Sequence, residues 1–150
     1  MASFLNDPLL GSAEYGNAAA LARALAAGAN VDERDSTGMT ALILATQHGH
    51  VDCIALLLKA GADIEAKDFS GWAATMWAAS NGHVDCLSRL INAGADIEAK
   101  DSKGRTALVW AARNGHVDCV QLIGVEIERR ALAASISTPS PPSQRSSLRV

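Results

Sequence analysis

One five-residue string, GHVDC, occurs three times, at 49–53, 82–86 and 115–119, and the interval between copies never changes. His50, His83 and His116 are thirty-three residues apart, as are Cys53, Cys86 and Cys119. Gly28, Gly61 and Gly94 keep the same step, and so do Asp35, Asp68 and Asp101. A fixed period of this length excludes most folds at once. Each period is one supersecondary unit that cannot bury its apolar face alone, so neighbouring units must stack to make a core.

Each period reads as a turn, a short helix, a longer helix and a loop. An Asp and a Gly near its start (Asp35 with Gly38, Asp68 with Gly71, Asp101 with Gly104) suit a tight turn. Thr40 and Thr106 follow as N-caps of an Ala-rich helix of about seven residues; the middle unit has Ala73 there. Gly49, Gly82 and Gly115 end that helix. Val51, Ile54, Leu57 and Leu58 then line one face of the second helix. Gly61 and Gly94 close it, and the loop GADIEAKD stands unchanged at 61–68 and 94–101. One step back, Asp7-Pro8 pairs an N-cap with proline at the first helical position. Residues 4–34 thus read as a degenerate first unit without the leading turn, ahead of units at 35–67, 68–100 and 101–134. The third departs after Ile123. There Val117, Val120, Ile127 and Ala131 predict one helical stripe, on a last helix that reaches about residue 134 and covers the end of the stack, as terminal units require. Residues 135–150, rich in Ser and Pro, read as disordered. The chain is 49% hydrophobic but only 4% aromatic, which suits closely packed helices.

The pattern resembles the ankyrin repeat. DSKGRTALVWAARNGH at 101–116 follows the family's D-x-x-G-x-T-P-L-H-x-A-A and then G-H, and G-A-D recurs in the loops. The resemblance covers most of the chain, residues 4–123, and implies an all-α fold, a solenoid of stacked helix-turn-helix units joined by turn and hairpin loops. Two departures stand out. The family's Pro is Ala41, Ala74 and Ala107, and its first-helix His is Ile43, Met76 and Val109. In the family that His helps tie neighbouring repeats by hydrogen bonds, so its loss predicts junctions that rely more on apolar contact.

GHVDC itself reads as architecture. Equivalent residues of stacked units lie roughly 8–10 Å apart, whereas a disulfide needs Cα atoms within about 7 Å and zinc ligands must converge to about 2.3 Å from one ion. The three cysteines form a ladder that does not converge, each a small buried apolar residue, and each histidine begins a second helix. His48, outside the ladder, reads first as an exposed polar residue. No metal site is expected. There is no G-x-S-x-G, Walker-type loop or His-Glu-x-x-His, so no catalytic residue is assigned, the chain is read as non-enzymatic, and no cofactor is expected. Asp63, Glu65, Asp96 and Glu98 read as solvated loop charges. The net charge of −3 argues against nucleic acid or anionic lipid as a partner. No run of about eighteen apolar residues predicts a membrane span, and the N-terminus lacks the basic and apolar regions of a secretory signal. Three cysteines, an odd number, then read as reduced thiols in the cytoplasm or nucleus.

Because a stack buries what its units share, function is sought where the copies disagree. The resemblance implies that turn tips and first-helix surfaces form a concave protein-binding face. On it the varying positions Met39, His48, Phe69, Trp72, Trp77, Asn81, Lys103, Arg105, Trp110 and Arg113 are the candidate contacts. Four of the six aromatic residues fall in the second and third full units, with Lys103, Arg105 and Arg113 at one side, a composition typical of binding hot spots. Trp77 and Trp110 either face the concave surface or fill gaps between neighbouring first helices. The expected function is a protein-binding module, a scaffold or adaptor, taken as a monomer whose partner is another protein presenting an acidic-hydrophobic segment. The alternatives are a regulatory subunit or inhibitor of a partner enzyme, and a structural piece of a larger assembly.

Overall fold

A computed structural model describes residues 8–137. Its eight helices form four successive pairs: α1 (Pro8–Tyr15) with α2 (Ala18–Ala26), α3 (Ala41–Gln47) with α4 (Val51–Lys59), α5 (Ala74–Asn81) with α6 (Val84–Asn92), and α7 (Ala107–Arg113) with α8 (Val117–Ser137). First helices pack on first helices and second on second, giving two layers with the core between them. The side chains buried there, among them Leu9, Leu21, Leu42, Ile54, Leu57, Met76, Leu87, Leu90 and Ile123, come from the positions that repeat. Single antiparallel bridges, Arg34 to Thr40 and Lys67 to Ala73, close the turns that lead into α3 and α5.

The caps follow the sequence. Thr40 Oγ1 accepts a hydrogen bond from the Ile43 N–H at 3.2 Å and Thr106 Oγ1 from the Val109 N–H at 3.4 Å. Ala73 has the same backbone angles as Thr40, φ −87° and ψ 169°, but offers no side-chain acceptor. Ala73→Thr is therefore expected to stabilise the protein by about 1 kcal/mol, read as a shift in the denaturant midpoint with an unchanged slope.

All three cysteines are free and buried. Burial first, and then the neighbouring Asp85 charge, pushes the Cys86 thiol up to about 11. Cys53 and Cys119 are raised for the same reasons, burial and the adjacent Asp52 and Asp118. Such thiols are poor nucleophiles at neutral pH.

The junctions between pairs are more polar than expected. His50 Nε2 lies 3.0 Å from the Glu14 carbonyl, His83 Nε2 3.1 Å from that of Gln47, and His116 Nε2 3.0 Å from that of Ser80. A carbonyl only accepts, so Nε2 carries the proton in each case. The glycine of one unit makes room for the histidine of the next: a Cβ on Gly49 would meet the His83 ring at 3.0 Å, and one on Gly82 the His116 ring at 2.6 Å. Asn81 and Asn114 add Nδ2 bonds to the Gln47 and Ser80 carbonyls, at 3.1 and 2.9 Å. The polar tie missing from the first helices has moved to the start of the second.

The last helix also differs from expectation. Its buried stripe is Cys119, Ile123 and Glu126, flanked by half-buried Val120 and Ile127, while Val117 and Ala131 are exposed. Glu126 occupies the stripe because Arg129 and Arg130 neutralise it, each bonding its Oε2 at 2.6 Å. Arg130 also donates to the Ala95 carbonyl at 2.8 Å, tying the helix to the preceding loop. α8 continues to Ser137, past residue 134, and does not cover the end of the stack: Val109 and Val117 stay open to solvent. The Ser/Pro-rich stretch from 138 onward, Asp7 and Phe4 lie outside the described residues.

Candidate protein-binding surface

Three aspartates build the turns in the same way. Asp35 Oδ1 accepts from the N–H groups of Thr37 and Met39, Asp68 Oδ1 from Ser70 and Trp72, and Asp101 Oδ1 from Lys103 and Arg105, all at 2.8–3.0 Å. In the last two units the other carboxylate oxygen aims a side chain as well. Asp68 Oδ2 accepts from Trp77 Nε1 at 3.0 Å; Asp101 Oδ2 accepts from Trp110 Nε1 at 3.1 Å and from Arg105 Nε at 3.2 Å. Burial pushes the Asp101 carboxyl up. The backbone bonds from Arg105 and Lys103, the indole of Trp110 and the Arg105 charge outweigh that and hold it below its ordinary value.

With Trp77 and Trp110 so oriented, Trp72 lies between them, its ring centroid 4.7 Å from Trp77 and 4.6 Å from Trp110, tilted by 53° and 45°. These separations are those of favourable aromatic pairs. Two guanidinium groups continue the row: Arg105 sits 4.3 Å from the Trp110 centroid and Arg113 5.3 Å, within cation–π range. All three indoles are half-buried. Trp77 and Trp110 each give the indole N–H to the turn aspartate of their own unit and still show part of the ring surface.

A family model for ankyrin repeats, in three copies, matches residues 4–68 and 67–131. The chain belongs to the ankyrin-repeat family. No curated protein matches it. Ankyrin repeats are generally protein–protein interaction modules.

Within this ankyrin-repeat stack the candidate residues separate into groups. Trp72, Trp77, Trp110, Arg105 and Arg113 come together. Phe69 stands at the tip of the second turn, 76% exposed, with its ring against Gly38, where a Cβ would meet it at 2.6 Å. Lys103 is exposed at the third tip. His48 and Asn81 are exposed at the ends of α3 and α5, Asn81 with its amide committed to the Gln47 carbonyl. Met39 is a correction. It is only 7% exposed and belongs to the core, because at the position that Trp72 and Arg105 take in later units an unbranched apolar side chain folds inward.

Two features escaped the sequence reading. Tyr15 is exposed in the same register as His48, Asn81 and Asn114; carrying the period back one step from His48 would have found it. The indole-orienting role of Asp68 and Asp101 was also unforeseen. Its signal is a tryptophan nine residues after the turn aspartate in both units. The loop acids are exposed but not idle: Asp32 Oδ1 accepts from the Asp63 N–H and Glu65 Oε2 from the Asp96 N–H, both at 2.8 Å. Among the described residues no group of three or more His, Cys, Asp or Glu could hold a metal ion, and no helix is long and apolar enough to cross a membrane.

Proposed function

We propose that this protein is a non-catalytic scaffold or adaptor of the cytoplasm or nucleus, whose concave face of turn tips and first helices takes a protein segment combining an acidic residue with apolar neighbours. The observation that carries this reading is the row Trp77–Trp72–Trp110 ending in Arg105 and Arg113. Indole rings supply rigid apolar contact area at little entropic cost. The Arg113 guanidinium forms no ion pair among the described residues, and the Trp72 indole N–H, unlike the other two, has no acceptor there. A carboxylate or backbone carbonyl from a partner would satisfy both, and an apolar side chain would cover the adjacent rings and Phe69.

Selection from a random peptide library on the immobilised protein tests it. Sequences pairing Asp or Glu with Leu, Ile or Phe should be enriched, and synthetic versions should bind Phe69→Ala and Arg113→Glu at least tenfold more weakly than wild type. Both sites are exposed, so the variants should fold normally. Enrichment without acidic residues, or equal binding by both variants, would remove this surface as the site.

A further inference from the structure

The two ends of the stack are unlike its interior in complementary ways. Leu10, Ile43, Met76 and Val109 share one position of the first helices. The first three, each followed by another helix pair, are 2%, 1% and 0% exposed, and Val109, followed by none among the described residues, is 38% exposed. Ala112 repeats the contrast, exposed where Ala13, Thr46 and Ala79 are fully buried. Burial here thus tracks the presence of a following pair. At the other end, Pro8 is exposed where Ala41, Ala74 and Ala107 are buried, and Ala20 is half-buried where the three cysteines are buried. Burial at those positions tracks the presence of a preceding pair.

The polar features of a junction are also in place at the α7–α8 end. Gly16, Gly49 and Gly82 each seat a ring from the following pair, whereas a Cβ on Gly115 would meet nothing within 4 Å. The carbonyls of Glu14, Gln47 and Ser80 each face a donor from the following pair, and the equivalent Arg113 carbonyl has no such partner among the described residues.

We propose that the α7–α8 end face takes the α1–α2 face of a second copy, so that the solenoid continues head to tail from one molecule into the next. The contact continues the junction already repeated within the chain. Its acceptor is the Arg113 carbonyl, and in the second copy Asn17 holds the register of the junction histidines, with a side-chain amide able to donate. At the positions concerned the first pair presents the small or unbranched Pro8, Gly11 and Ala20, with Tyr15, 68% exposed, in the register from which Asn81 and Asn114 bond the preceding unit. A contact made of one untethered junction is small and therefore weak. Being heterologous, it does not close on itself, so association is open-ended. The proposal departs from the monomer expected from sequence, and the oligomeric state decides between them.

Two blocking variants of the full chain test it: Ala112→Arg at one end and Ala20→Arg at the other, each checked for folding by circular dichroism and followed by sedimentation velocity. The wild type should gain average mass steadily as its concentration rises. Each variant alone should stay monomeric, because each retains only one competent face. Mixed in equal amounts, they should form dimers and stop there, doubling the average mass. Wild type that stays monomeric at every concentration overturns the proposal, whether the faces are covered by residues outside 8–137 or are suited to a different protein. Self-association of Ala20→Arg alone would also overturn it, since a symmetric contact between two α7–α8 faces behaves that way.

Discussion

Asp101→Ala is expected to lower the melting temperature by on the order of 10 °C, more than any other single change in the turns. Its carboxylate accepts from two backbone N–H groups, an indole and a guanidinium, and truncation leaves all four donors without their acceptor. Because folding lowers this carboxyl's pKa, its contribution is complete above the ordinary Asp value of about 3.9 and disappears as pH falls through the lower folded value. Glu126 is lowered too, chiefly by the Arg129 hydrogen bond against the cost of burial and then by Arg130, so acid loosens the third turn and the last helix in the same window. Asp101→Asn keeps the shape but turns an N–H₂ group toward other donors. It should be destabilised near neutral pH and show a shallower loss of stability as the pH falls below the ordinary Asp value of about 3.9. Thermal melts across that range, wild type beside Asp101→Asn, measure both effects; parallel curves would show that Asp101 is not the titrating group.

The second large effect belongs to Trp72. Trp72→Ala removes the ring between Trp77 and Trp110 and should cost about 2 kcal/mol of stability, less than for a fully buried tryptophan because the ring is half exposed. Binding of an acidic-hydrophobic peptide should fall by about thirtyfold or more, as for a central hot spot. Trp72→Phe separates the two roles. It keeps a ring between its neighbours but has no N–H, so most of the stability should return while binding stays well below wild type. Denaturant melts and fluorescence titration give the two numbers. Full recovery of binding in Trp72→Phe would mean that the indole N–H does not contact the ligand.

The architecture was legible because the information repeats. The Asp turns, the Thr caps and the Gly-His pairs each state the same geometry more than once, and identical local rules applied at a constant step leave stacking as the way to bury the shared apolar faces. The candidate surface was less legible, since each of its residues occurs once. Met39 looked like a surface residue because its register partners are Trp72 and Arg105. Nothing local distinguishes an inward from an outward side chain at a turn tip, and packing in three dimensions decides it. The polar character of the junctions was missed for a related reason. His50 reaches a carbonyl thirty-six residues earlier, a contact that periodicity makes room for but does not name. On α8, four apolar residues suggested a stripe, yet the helix turned Glu126 inward, because a pair of arginines one turn further on made a carboxylate tolerable there.

The cross-unit side-chain bonds described above reach one period and no further. Arg34 Nη1 donates to the Lys67 carbonyl and Lys67 Nζ to the Lys100 carbonyl, each across thirty-three residues, just as the histidines reach back by thirty-six. Energy in such a molecule is held as a row of nearest-neighbour couplings, like a one-dimensional lattice, and not as a single shared centre. An inner pair is clamped from both sides and an outer pair from one, so amide protons should exchange on a gradient, slowest in α3 to α6 and fastest toward either end. The aromatic row straddles that gradient. Trp72 and Trp77 belong to a doubly clamped unit and Trp110, with both its arginines, to a singly clamped one, so in a single chain backbone amides under the cationic half of the surface should exchange faster than those under the Trp72–Trp77 half.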